Sequence, residues 1–85
     1  MLKVTVLGDG AFGTAMALYL DKQTNIQARL WSAQPEQFKR LNEERENRKY
    51  LPGIKIPDSI ELFDNPEESV HGSDLWVSAI PTVFL

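Results

Sequence analysis

The feature that most constrains this chain is a six-residue turn, Gly8-Asp9-Gly10-Ala11-Phe12-Gly13, set directly after the apolar run Val4-Thr5-Val6-Leu7. Glycines at this spacing arise by chance in many sequences, so the surroundings carry the reading. A short β-branched strand precedes the turn. A helix-forming run, Thr14 to Leu20, follows it, with Ala15, Met16, Leu18 and Tyr19 available for burial. In a strand–turn–helix unit of this kind Gly8 permits the tight turn, Gly10 lets the backbone approach a pyrophosphate, and Gly13 lets the helix lie close to the strand. The unpaired N–H groups of the first helical turn and the positive end of the helix dipole then favour an anion. The pattern therefore points to a dinucleotide site.

Composition closes off several other classes. The chain of 85 residues has no cysteine and a single histidine, His71, which excludes disulfides, cysteine-based zinc sites and a histidine metal cluster. Its net charge of −3, with both signs interspersed, gives no basic field for nucleic acid. No apolar run approaches the roughly 18 residues of a membrane span, and the N-terminus reads as a strand, not a signal peptide. The expectation is a soluble, cytoplasmic piece. Its last residues, Pro81-Thr82-Val83-Phe84-Leu85, look like the opening of a further helix that nothing closes. Residues 1–85 are accordingly expected to be the N-terminal portion of a dinucleotide-binding domain, cut after its fourth strand.

In chain order, Leu2 to Leu7 reads as a strand buried on both faces. A helix follows from Ala11 to about Lys22, ended by a polar stretch in which Asn25 can take a left-handed turn. Ile26 to Trp31 is the second strand. Pro35 suits the first position of a second helix, with Ser32 or Gln34 near its cap and Phe38 and Leu41 as its buried stripe. Glu46 to Gly53 reads as a loop from its Asn and Pro-Gly punctuation. Ser59 to Phe63 is a third strand. Asn65 caps a brief helix that has Pro66 at its first position and acids in its first turn, and Gly72 stops it. Asp74 to Ile80 is the fourth strand. Trp76 reads as packing and His71 as an exposed helix-end residue.

This alternation argues for a parallel sheet wound with helices. Right-handed crossovers give the strand order 3-2-1-4, most of an α/β Rossmann-type doubly wound domain. Gly10 and Pro81 are expected to face each other across the ligand crevice. The second strand normally ends in the residue that reads the adenosine ribose: an acid selects NAD, whereas a nearby arginine accommodates the 2′-phosphate of NADP. Here Trp31-Ser32-Ala33-Gln34 offers neither acid nor base, and Ser32 and Gln34 can hydrogen-bond to either group, so the choice between NAD and NADP stays open.

Four stretches, Gly8-Asp9-Gly10-Ala11-Phe12-Gly13-Thr14-Ala15, Leu30-Trp31, Glu46-Asn47-Arg48-Lys49-Tyr50-Leu51-Pro52-Gly53 and Ala79-Ile80-Pro81-Thr82, together resemble the N-terminal part of NAD(P)-dependent glycerol-3-phosphate dehydrogenase. The resemblance runs in order through all 85 residues. The Asn-x-x-Tyr-Leu-Pro stretch and the Trp ending the second strand are more specific than the glycines. What it implies is reversible hydride transfer between dihydroxyacetone phosphate and sn-glycerol 3-phosphate, for glycerophospholipid synthesis, by a full-length protein for which a homodimer is one option. It further implies a cofactor site in which Gly8, Gly10, Ala11, Phe12 and Gly13 hold the pyrophosphate region. Ser32, Ala33 and Gln34 would flank the adenosine end, Tyr50 would approach the cofactor, and Pro81 would border the crevice. The substrate-binding lysines of the family lie beyond the fourth strand and in a C-terminal helical domain, so no residue of this chain receives a catalytic role. Two positions depart from the family pattern: Asp9 stands where a small residue is common, and Ala33 stands where many members have a basic one. Other readings are a reductase of 6-phosphogluconate or ketopantoate type and a non-catalytic NAD(H)-sensing module. The Tyr-Leu-Pro-Gly stretch argues against the first.

Overall fold

The computed structural model describes residues 1–79. Four parallel strands form the sheet: β1 (Leu2–Leu7), β2 (Ile26–Trp31), β5 (Glu61–Phe63) and β6 (Leu75–Ser78), in the order β5-β2-β1-β6. That is the predicted 3-2-1-4 arrangement. Three helices, α1 (Ala11–Asp21), α2 (Pro35–Glu44) and α3 (Pro66–Val70), make the connections. Between α2 and β5 the chain adds a second, two-stranded antiparallel sheet of β3 (Glu46–Asn47) and β4 (Leu51–Lys55).

The two faces of the sheet follow from side-chain alternation along β1 and β2. Val6, Ala28 and Leu30 point one way and join Ala17 of α1, Leu41 of α2, Ile56 and Ile60 in one buried cluster. Thr5 and Arg29, which alternate with them and sit opposite each other in register, point the other way, towards α3. Thr5 Oγ1 donates to the Ser69 carbonyl at 2.5 Å and also pairs with the Ser73 hydroxyl. Arg29, nearly buried, donates to the carbonyls of His71 (2.6 Å) and Ser69 (3.4 Å), pairs with Glu61 at 3.4 Å, and lies over the Phe63 ring. A helix as short as α3 has little apolar surface to bury, and these polar side chains satisfy the carbonyls at its end instead.

Several local signals act as expected. Asn25 adopts φ 66° at the turn into β2, and Pro35 and Pro66 open α2 and α3. Asn65 Oδ1 accepts from the Glu68 amide at 3.1 Å, and Gly72 (φ 75°) follows the end of α3.

Other expectations are corrected. The stretch read as a loop, Glu46 to Gly53, is mostly hairpin: Asn47 pairs with Leu51 and Glu46 with Lys55, across an irregular register. Pro52 and Gly53 are tolerated inside β4 because a strand of a two-stranded ribbon needs hydrogen bonds on one side only. The third strand starts at Glu61, not Ser59, since the Ile60 amide is turned back to the Pro57 carbonyl. The fourth spans Leu75–Ser78, with Ile80 outside the described residues; Asp74 precedes it, its amide and carboxylate both bonded to the Lys3 backbone. Lys22 caps α1 instead of belonging to it.

Burial also differs in α1 and α2. Gly13, Thr14 and Ala17 are the buried positions of α1, while Ala15 and Tyr19 face outwards, because the small side chains bring the helix against the sheet. In α2 Phe38 is half-buried and the polar Gln37 is buried beside Leu41. Trp76 does not pack: it is 60% exposed, since β6 has no neighbour on its outer side among the described residues.

Candidate functional site

The parallel register brings the carboxyl ends of the strands level, with Leu7 opposite Trp31 and Ser78, and Trp31 opposite Phe63. Ligands of open α/β sheets bind beyond these ends, where the strand order reverses. Here that point lies between β1 and β6, and the glycine turn leaves β1 there.

Each glycine of the turn has a separate reason. Gly8 has φ 120°, a conformation that disfavours any side chain, while its amide donates to the Trp31 carbonyl at 3.2 Å. Gly13 has no room: a Cβ there would lie 1.9 Å from the Gly8 carbonyl oxygen. Gly10 is the opposite case. It caps α1 in an ordinary extended conformation, and among the described residues a Cβ on it would meet nothing within 4 Å. Among the described residues no side chain caps this helix end, and no acid sits in its first turn. The amides of Ala11, Phe12 and Gly13 thus have no acceptor within α1, and Phe12 projects 62% exposed beside them. Among the described residues, the open space at Gly10, the donors without a partner and the positive helix end make the turn a fit for an anionic diphosphate.

The end of β2 is built differently. The Ser32 amide donates to the Phe63 carbonyl at 2.9 Å, and its hydroxyl, buried, donates to Asp9 Oδ2 at 2.7 Å. Ser32 therefore spends its proton on the turn, and Ala33 and Gln34 are the exposed residues of the predicted adenosine end. The carboxylate of Asp9 is drawn towards β2 by this bond.

Asn47, completely buried on β3, ties the pieces together. Its Nδ2 donates to the Asp9 carbonyl (2.6 Å) and to Thr14 Oγ1 (2.8 Å), and Thr14 Oγ1 donates to the same carbonyl at 3.1 Å. Its Oδ1 accepts from Gln37 Nε2 (2.9 Å) and from the Tyr50 amide (3.2 Å). One amide thus fixes the glycine turn, α1, α2 and the hairpin tip. Reading by motif placed Tyr50 in the site but gave Asn47, Thr14 and Gln37 no part in it. The available signal was a polar Gln37 beside Leu41 on the helix's inward face, which asks for a buried partner.

Tyr50 is at the hairpin tip, partly exposed, with the Lys49 ammonium 5.1 Å from its ring centroid. Two shallow depressions flank this tip. One of about 100 Å³ is lined by Gln34, Glu36, Gln37, Arg40 and Lys49. The larger, about 310 Å³, lies further along α2, where Arg48 is paired with Glu44 (3.1 Å) and Glu46 (3.7 Å). Neither is lined by a residue of the glycine turn. Pro81 lies outside the described residues. Among the described residues no group of acidic or histidine side chains could hold a metal ion.

The family described as NAD-dependent glycerol-3-phosphate dehydrogenase N-terminus matches residues 3–85. The chain belongs to this family. Glycerol-3-phosphate dehydrogenase (NAD(P)+) of Geobacillus thermodenitrificans is 43% identical over 82 residues, which is 96% of this chain and 24% of that protein. A Thermus thermophilus protein of the same name is 41% identical over 81 residues, 95% of this chain and 25% of its own length. Among solved structures, glycerol-3-phosphate dehydrogenase from Coxiella burnetii superposes with a TM-score of 0.83 at 27% identity, over 91% of this chain and 23% of that one. The Saccharomyces cerevisiae enzyme gives 0.85 at 29% identity, over 98% and 27%. The chain thus spans about a quarter of the length of the relatives it matches, and the family description places the match at the N-terminus of such enzymes.

Proposed function

We propose that this chain is the cofactor-binding portion of an enzyme that moves a hydride between NAD(P)H and dihydroxyacetone phosphate, giving sn-glycerol 3-phosphate for glycerophospholipid synthesis in the cytoplasm. Among the described residues no helix is long and apolar enough to cross a membrane. The observation that carries the reading is the fit of the glycine turn to a diphosphate, in a chain matched to the dehydrogenase family over residues 3–85. Gly8 and Gly13 shape the turn, Gly10 leaves room for the pyrophosphate, and the Ala11, Phe12 and Gly13 amides donate to it. Ser32, Ala33 and Gln34 border the adenosine end, Tyr50 approaches from the hairpin, and Pro81, outside the described residues, is assigned to the same cofactor by the family resemblance. The bound dinucleotide supplies the hydride. The residues of this chain bind and orient it, and the groups that hold the phosphate substrate and move the proton belong to strands and a helical domain beyond residue 85.

The test is to express the full-length protein and follow reduced-nicotinamide absorbance with dihydroxyacetone phosphate. Turnover that requires this ketone is the expected result. A protein that binds NADH yet turns over no dihydroxyacetone phosphate would be a sensor, and the enzymatic reading would fall.

A further inference from the structure

Two features of the site are anomalous taken singly. The end of β2 lacks the carboxylate that reads an adenosine ribose, and the glycine turn carries a carboxylate, Asp9, where a diphosphate would repel it. The structure joins them. Asp9 Oδ2 accepts from Ser32 Oγ at 2.7 Å, and Ser32 is the first residue after β2. The Asp9 carbonyl is gripped by Asn47 Nδ2 and Thr14 Oγ1, so the backbone that carries the side chain is fixed as well. The acid therefore stands at the end of β2, although its sequence position is in the turn. Asp9 is only partly buried, whereas Ser32 is fully buried, and the Ser32 hydroxyl engages only one of the two carboxylate oxygens, Oδ2.

We propose that Asp9 supplies the ribose-reading carboxylate that β2 lacks, accepting from the adenosine 2′-hydroxyl and disfavouring a 2′-phosphate, so that the site prefers NAD(H) to NADP(H). Ser32 is then the positioning residue that holds the acid in place. The inference rests on the cofactor reading above. An opposing feature lies nearby: Arg40 and Lys49 line the small depression next to Gln34, and among the described residues neither is in an ion pair. Glu36 lines the same depression and offsets part of that charge. Asp9 differs in being fixed at the strand end by a direct hydrogen bond.

Binding of NADH, NADPH and 2′-deoxy-NADH to the full-length protein decides the matter. A charge-assisted hydrogen bond to the ribose makes wild type bind 2′-deoxy-NADH about tenfold more weakly than NADH. In Asp9→Ala that difference should vanish. In Asp9→Asn, which keeps the shape and removes the charge, NADPH affinity relative to NADH should rise by about tenfold or more. An unchanged NADPH-to-NADH ratio in Asp9→Asn, with NADH still bound, would overturn the assignment to Asp9 alone. Wild-type protein that binds neither dinucleotide would overturn the cofactor reading instead.

Discussion

The glycine turn (residues 8–13) and the hairpin (residues 46–55) approach the same site, yet different forces fix them. The turn is set by backbone sterics. Gly8 takes a positive φ and Gly13 abuts a carbonyl, so the shape follows from what is missing at those positions. The hairpin is set by side chains. Its inner strand is two residues long and its register is irregular. Three hydrogen bonds of the buried Asn47 tie it to the glycine turn, α1 and α2, and a fourth holds its own tip. Backbone-limited geometry tolerates almost no substitution at its contact points. A side-chain network instead degrades in proportion to the polar groups left without partners.

The largest effect should come from the turn. In Gly13→Val the new Cβ overlaps the Gly8 carbonyl oxygen, and that oxygen is backbone, so α1 must separate from β1 for the chain to accommodate it. A loss of more than about 4 kcal/mol is expected, or no folded protein. Urea denaturation of the full-length protein reads this, and a loss below about 1 kcal/mol would show that the helix can shift cheaply.

Asn47→Leu tests the hairpin side. It strands the Gln37 amide, removes two donors from the turn and puts two methyls where a flat amide was fully buried, at an expected cost of about 2–4 kcal/mol. Because Asn47 also holds the Asp9 carbonyl and the Tyr50 amide, dinucleotide affinity should fall further than stability explains. Affinity measured well below the melting range separates the two effects. If stability drops while NADH affinity stays at the wild-type value, Asn47 holds the fold without shaping the site.

The same contrast explains what could be read in advance. The turn, strand order and helix caps were legible because glycine conformation, hydrophobic alternation and proline or asparagine capping are local properties of the residues concerned. The hairpin was not. Pro52 and Gly53 are turn residues by local preference, and only pairing with Glu46, whose carboxylate accepts from the Gly53 amide at 3.0 Å, makes their segment a strand. Trp76 was misread for a related reason. Its apolar surface suits burial, but exposure is decided by what lies beside β6. The destination of the Asp9 side chain depended on Ser32, 23 positions along the chain.

Gly10→Val sharpens the comparison from inside the turn. Gly10 shares the motif with Gly13 but meets open space and has no positive φ, so a valine costs only a weakened helix cap, about 1 kcal/mol. Its side chain would fill the room assigned to the pyrophosphate, and NADH binding, followed by fluorescence, should be abolished while the fold persists. Equal affinity in wild type and variant would remove Gly10 from the site. Gly13→Val and Gly10→Val are thus expected to part cleanly, one failing in folding and the other in binding.

The smallest effect is expected at the outer side of the hairpin. Arg48 pairs with Glu44 at 3.1 Å and Glu46 at 3.7 Å, which suggests a bracket between α2 and β3. Its side chain is 71% exposed, however, and an ion pair in water gains little Coulomb energy after the ordering of two long side chains. Glu46 has another partner in the Gly53 amide, so removing the arginine does not leave it unbonded. Arg48→Ala should therefore change stability by about 0.5 kcal/mol or less, with the change shrinking in salt. Equilibrium unfolding at low and high ionic strength checks both points. A salt-insensitive loss above about 1 kcal/mol would mean that surface charges also hold the hairpin, and that Asn47 shares its role with the Arg48 bracket.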